Sequence, residues 1–163
     1  MTDFDGFQSA CNKAFASLRE RFHLEMKVRC YECVLKNATT AIRITYEPRN
    51  IYVFVQICRL IDGELILPPG DMKSDSVLHC YDVDYLHMVR KPFHTSDSLA
   101  VRNQRTPNPI DDIWAYATYL EECGNDLLSG NFEVFQTLEP IVKERAREYA
   151  ILKWGNQVHE HGW

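Results

Sequence analysis

The stretch Ile51-Tyr-Val-Phe-Val-Gln-Ile-Cys-Arg-Leu-Ile61 constrains the fold of this chain more than any other. It is β-branched, apolar and free of Gly and Pro. A run of that kind reads as a strand covered on both faces, within a sheet that has layers packed over it. It carries no chemistry of its own.

The residues before it alternate with a period of two. Tyr31, Cys33 and Leu35 alternate with Glu32 and Lys36, Asn37-Ala38 makes a turn, and Ile42, Ile44 and Tyr46 alternate with Arg43, Thr45 and Glu47. Pro48-Arg49-Asn50 is a turn signal, and Asp62-Gly63 closes the long apolar strand. Leu65-Ile66-Leu67 is a candidate fourth strand, stopped by Pro68-Pro69-Gly70. Connections this short favour antiparallel neighbours, hence a meander. Val77–Tyr81 reads as a short strand or as a helix entry, and periodicity does not separate the two.

Helical spacing occupies both ends of the chain. Thr2 and Asp5 resemble a helix start, and Phe4, Phe7, Cys11, Phe15, Leu18 and Phe22 form the apolar stripe of one helix reaching about Phe22. Asp82 to Arg90 has acids first and bases last, as the helix dipole prefers. Residues 92–109 show no clean period and form a predicted loop containing His94, Arg102 and Arg105. Asp111-Asp112 open a further helix with a core stripe of Ile113, Tyr116, Ala117, Leu120, Cys123 and Leu127, stopped by Gly130 or Asn131. The last helix starts near Phe132, with Pro140 in a first turn and Phe135, Leu138, Val142, Tyr149 and Leu152 on its core side. Residues 155–163 are expected to fray. The expectation is one α+β domain over residues 1–163: an antiparallel meander of about four strands, an N-terminal helix and about three helices after the sheet.

Composition narrows the function classes. With 163 residues and 45% hydrophobic content, the chain can bury a full core without staples. A formal charge of −5 argues against a large phosphate-binding footprint, so no nucleic-acid partner is expected. No apolar run reaches spanning length and the first residues lack a basic, then greasy, export signal, so no membrane partner is expected and the cytoplasm is the expected location. The six cysteines (Cys11, Cys30, Cys33, Cys58, Cys80 and Cys123) are accordingly expected to be reduced thiols.

Motifs that could carry chemistry are few. Cys30-Tyr31-Glu32-Cys33 has the spacing of a zinc half-site or a redox pair, but it sits in an alternating strand and no second pair matches it. His79-Cys80-Tyr81-Asp82 holds the residue types of a thiol triad, yet neighbours on a strand face opposite ways. His159-Glu160-His161 lies at the expected frayed end. There is no G-x-S-x-G, no phosphate-binding glycine loop and no H-E-x-x-H. No catalytic, cofactor-binding or metal-binding residue is assigned.

What stands out instead is acid near aromatic residues. Asp82 with Asp84, Asp111 with Asp112, and Glu121 with Glu122 open helices or line their faces, close in sequence to Tyr81, Tyr85, Trp114, Tyr116 and Tyr119. Capping and a solvated face account for most such acids. The functional alternative is a surface for a basic protein, with exposed rings as anchors and charge setting the rate of encounter. On that reading the partner-binding set is Asp82, Asp84, Tyr85, Asp111, Asp112, Glu121 and Glu122.

Tyr46-Glu47, the Ile51–Ile61 run, the Asp62-Gly63 turn and the helical ending, in which Leu127-Leu128-Ser129-Gly130-Asn131-Phe132 leads to Phe135, Leu138 and the charged stretch 142–147, together resemble small bacterial immunity-type proteins of toxin–immunity systems. The resemblance implies binding of a toxin without catalysis, and it transfers no individual residue. The reading is therefore a non-enzymatic acidic protein-binding domain that neutralises a cognate toxin. Its alternatives are a small enzyme assembling Cys80, His79 or His94 with an acid, and a homo-oligomeric regulatory subunit.

Overall fold

The computed structural model describes residues 4–90 and 108–163, the side chains of Phe4 and Asp5 excepted. The chain is α+β: N-terminal helices, a five-stranded antiparallel meander in the order β1-β2-β3-β4-β5, then helices. The loop predicted over 92–109, with His94, Arg102 and Arg105, lies outside the described residues up to 107. No helix among the described residues is long and apolar enough to cross a membrane.

The first helical pattern folds as two helices rather than one. In α1 (Phe4–Ala14), Phe7, Ala10, Cys11 and Ala14 are buried at helical spacing, while Gln8, Ser9, Asn12 and Lys13 are exposed. Phe15 leaves helical geometry at φ −95°, ψ 9°, and α2 (Ala16–Phe22) follows it with Leu18 in the core. His23 ends α2 in the left-handed conformation.

Strand β1 (Glu25–Arg29) was not expected, because its sequence is Glu-Met-Lys-Val-Arg. It is an edge strand with only Met26 and Val28 turned inward, and the charged residues on its other side deter pairing with further chains. A two-residue turn at Cys30-Tyr31, with φ +45° at Cys30, connects it to β2 (Glu32–Lys36). Asn37 closes the next turn, its Oδ1 accepting from the Thr39 and Thr40 amides at 3.0 and 2.9 Å. Strands β3 (Thr40–Glu47) and β4 (Tyr52–Arg59) form the centre of the sheet.

The fourth strand expected at Leu65–Leu67 does not form. Those residues are a flap that reaches over Cys58 and Cys80, and the last strand is β5 (Cys80–Asp82), which runs directly into α3 (Val83–Arg90). The remaining helices are α4 (Pro109–Cys123), the single turn α5 (Asn125–Leu128) and α6 (Phe135–Trp154), which runs through Pro140.

Register sorts every strand residue to one of two faces. The inner rungs are Val28–Cys33–Ile44–Val55 and Met26–Leu35–Ile42–Ile57–Tyr81, and they pack under Ile113, Tyr116, Leu120, Leu127, Leu128 and Leu138. The outer face carries Lys27–Val34–Arg43–Gln56–Asp82. The run at β4 is therefore not covered on both sides. Phe54 is 44% exposed, its ring against Tyr52 at 4.4 Å, and only the Cys58 end is roofed by the flap. A two-sided apolar sequence arises here because the aromatic pair shields itself on the outer face.

Two expectations about the last helix are corrected. Tyr149 and Leu152, assigned to the core side, are 68% and 86% exposed, because beyond Val142 the buried position of α6 is the small Ala150. The end of the chain does not fray. Residues Gly155–His161 form a 3-10 helix with Val158 buried, and both the amide and the hydroxyl of Ser74 donate to the Gly162 carbonyl, at 3.0 and 2.9 Å.

Candidate functional site

Helix α4 is defined at its start by local chemistry. The Asn108 side chain accepts from the amides of Ile110 (3.1 Å) and Asp111 (3.5 Å), Pro109 occupies a first-turn position, and Asp111 and Asp112 complement the dipole. Its inner stripe of Ile113, Tyr116, Ala117 and Leu120 packs on the sheet and on α1. The opposite side presents Ile110, Asp111, Trp114, Thr118 and Glu122, with Glu121 beside them half-buried. Trp114 is 46% exposed near the middle of that face. Along the axis it lies about 4.5 Å from Asp111 and about 12 Å from Glu122, at a rise of about 1.5 Å per residue. The helix has no basic residue at all.

The structure divides the seven residues assigned to partner binding. Asp111, Glu121 and Glu122 share the outward side of α4, whereas Asp112 is buried in its first turn. Asp84 accepts from the Tyr116 hydroxyl through both oxygens at 3.1 Å, which ties α3 to α4. Asp82 ends a polar ladder across the outer sheet face: Glu32 to Arg43 at 2.6 Å, Arg43 to Gln56 at 3.1 Å, Gln56 to Asp82 at 2.9 Å. Burial raises the Asp82 carboxyl above its ordinary range against the Gln56 hydrogen bond, and burial also raises the half-buried Tyr85 hydroxyl. Of the nearby aromatics, Tyr81, Tyr116 and Tyr119 are core, and Trp114 is the one presented to solvent. Ile110, at the rim of the same face, was missed because a lone apolar residue in a first turn looks like core.

Asp126 has a different job. The Arg90 guanidinium grips it through two nitrogens, at 2.8 and 2.5 Å, and also donates to the Cys123 carbonyl at the end of α4. The hydrogen bonds from Arg90 hold the Asp126 carboxyl below its ordinary value of 3.8. A depressed carboxyl contributes stability that is present above the unfolded pKa and lost as pH falls through the folded one. Urea midpoints of the wild type should therefore fall relative to those of Asp126→Asn as pH drops below about 4. Parallel pH profiles for the two proteins would refute the assignment. Asp82, being raised, has the opposite sign and favours the fold most at low pH.

Among the described residues the groups behind the enzyme alternative lie apart, and His94 falls outside those residues. Cys80 is not a reduced thiol but is bonded to Cys58, opposite it in the β4–β5 register; this corrects the all-thiol expectation, Cys11, Cys30, Cys33 and Cys123 being free. Register could not be read locally, so the pairing was hidden. The His79 ring nitrogen faces Arg59 at 3.4 Å. In the C-x-x-C motif, Cys30 is exposed in a turn and Cys33 is buried under the helices. His161 stacks on Trp154 at 3.9 Å and His159 Nδ1 lies 2.6 Å from the Trp163 carbonyl, so the terminal histidines serve packing. Among the described residues no three His, Cys, Asp or Glu side chains gather to hold a metal ion. The positive charges of α6 are partly internal pairs, Lys143 with Glu139 at 2.7 Å and Arg147 with Glu144 at 3.6 Å.

The outward side of α4 is thus where three of the predicted site residues lie beside an exposed aromatic ring. No protein-family model, curated protein or solved structure matches the chain.

Proposed function

We propose that this protein is a non-enzymatic acidic binding domain that meets a basic protein through the outward face of α4, and that the partner is a bacterial toxin which it neutralises. The observation that carries the reading is Trp114, a large ring left exposed amid Asp111, Glu121 and Glu122 on a helix without one basic residue. Exposed aromatics ringed by polar groups act as binding anchors, and like-signed charge around them steers an oppositely charged partner. The immunity role rests on the resemblance of the chain order, and a cytoplasmic location belongs to the same proposal.

The experiment is co-expression with the products of neighbouring genes, scored by complex formation and by rescue from toxicity. With a partner in hand, Trp114→Ala should weaken binding by about 2 kcal/mol or more, roughly 30-fold. Reversing Glu121 and Glu122 to lysine should slow association and flatten its salt dependence. No complex with any neighbouring product, or full affinity in Trp114→Ala, would end the proposal.

A homo-oligomeric subunit is the second reading, and Tyr149 and Leu152 at the exposed end of α6 favour it. Light scattering at the protomer mass would remove it.

A further inference from the structure

We propose that the open edge of β1 is a docking site for an extended acidic peptide segment, which adds to the sheet as a further antiparallel strand. The surface is separate from the outward face of α4 and takes the opposite charge, so it goes beyond the reading of that helix. Strand β1 pairs with β2 on one side, and among the described residues no strand lies on the other. Register tells which of its backbone groups are left over. The Tyr46 amide donates to the Tyr31 carbonyl at 2.8 Å, which fixes Cys33–Ile44 and Leu35–Ile42 as the hydrogen-bonded pairs of β2 and β3. Alternate residues of a strand turn their backbone to opposite sides, so Glu32, Val34 and Lys36 bond to Arg29, Lys27 and Glu25. The amides and carbonyls of Met26 and Val28 are therefore directed into the open edge. Such an edge is a template for another strand.

Charge selects what can use that edge. The first 60 residues hold nine Lys and Arg against six Asp and Glu, whereas residues 61–163 hold nine against 17. The acidity of the chain thus belongs to its later part, and the β1–β2 hairpin belongs to the basic part. Lys27 and Arg29 are exposed on the outer face of β1, and no ion pair among the described residues engages them. Glu32, opposite Arg29, is already held by Arg43 at 2.6 Å. The two bases line a groove of about 270 Å³ together with Val34 and Leu65. At its end the Lys36 ammonium donates to the Gly63 carbonyl at 3.2 Å. The acids that face an incoming strand are Glu64, in the same groove, and Glu25, at the start of β1.

Backbone and charge together specify the occupant. An added strand places every second side chain on the outer face, beside Lys27 and Arg29, where carboxylates complement the unpaired bases. Its other side chains fall on the inner face beside Met26 and Val28, which are half-buried and would be covered by apolar groups. The matching segment therefore alternates acidic with apolar residues. The charges that deter indiscriminate pairing at this edge admit a strand of opposite sign. A second copy fits less well, because antiparallel pairing centred on β1 sets the two Lys27 ammonium groups against each other.

The test titrates the full chain into a short fluorescein-labelled peptide of alternating glutamate and valine and follows anisotropy at low ionic strength. The expected result is saturable binding that weakens several-fold at physiological salt, with no binding of the lysine–valine counterpart. The double variant Lys27→Glu/Arg29→Glu should lose about tenfold or more in affinity for the acidic peptide and gain binding of the lysine–valine one. Met26→Pro removes an amide that points away from β2, so it should weaken binding several-fold and leave the urea midpoint nearly unchanged. In an antiparallel addition the valine amides face β1, so N-methylation of every valine should abolish binding and N-methylation of every glutamate should not. The proposal is overturned if the acidic peptide does not bind, if the lysine–valine peptide binds the wild type equally, or if both N-methylated forms bind like the parent. Sedimentation showing a dimer that Lys27→Glu alters would give the edge to a second copy and overturn it as well. Should a variant fail to fold, the two N-methylated peptides decide on the wild type alone.

Discussion

Phe15→Ala is expected to lower folding stability by about 3–5 kcal/mol, the range for truncating a buried phenylalanine. Phe15 is 0% exposed and sits where α1 stops and α2 begins. Its amide donates to the Cys11 carbonyl at 3.1 Å and its carbonyl accepts from the Arg19 amide at 2.9 Å, so the backbone there is held on both sides. The surroundings have little freedom to collapse into the space the ring leaves. That places the cost in the upper part of the range for large-to-small changes. Against a typical domain stability of about 5–15 kcal/mol, the loss is a large share. Urea midpoints measure it, with Phe15→Leu as the gentler companion, expected to lose less because most of the volume remains. An alanine variant that melts with the wild type would mean that the joint between the helices is not packed as described.

The second large effect is reduction of the Cys58–Cys80 bond. The two residues are opposite each other in the β4–β5 register and 22 positions apart in sequence, so the bond closes the loop that contains the flap. Closing a loop of that length in the unfolded chain is worth about 3 kcal/mol in the chain-entropy account. The effect has a local target. Strand β5 holds only three register pairs with β4, yet it leads into α3, which carries Asp84 to Tyr116 and Arg90 to Asp126. Urea unfolding with and without a thiol reductant should differ in midpoint, and the double variant Cys58→Ala/Cys80→Ala should show no reductant dependence. Identical wild-type curves in the two conditions would refute the clamp. A stable bond in cells would also count against a reducing cytoplasm as the location.

Much of the architecture was legible where one local period reports one face. Ile42, Ile44 and Tyr46 alternate in sequence and are buried in the structure, and Ile113, Tyr116, Ala117 and Leu120 follow the helix period and line the core. Legibility failed where a residue's environment is supplied from far along the chain. Strand β1 was hidden because an edge strand needs few apolar residues. Tyr149 and Leu152 have helical spacing, but nothing in that spacing says where the core beneath α6 ends. Asp84 and Glu122 look alike in sequence, yet one is bound to Tyr116 and the other faces solvent. The candidate surface on α4 was half visible for the same reason: its acids could be named, but which aromatic stood among them could not.

The sequence by itself determined the class of the domain, the meander at its centre and the helices at both ends, because period and turn chemistry act between residues a few positions apart. Tertiary structure alone decided which cysteines pair, which acids are consumed by internal hydrogen bonds and which ring stays exposed. Those outcomes depend on strand register and helix placement, which bring together groups tens of residues apart. No local pattern encodes such meetings, since the free energy that selects them is shared across the whole core.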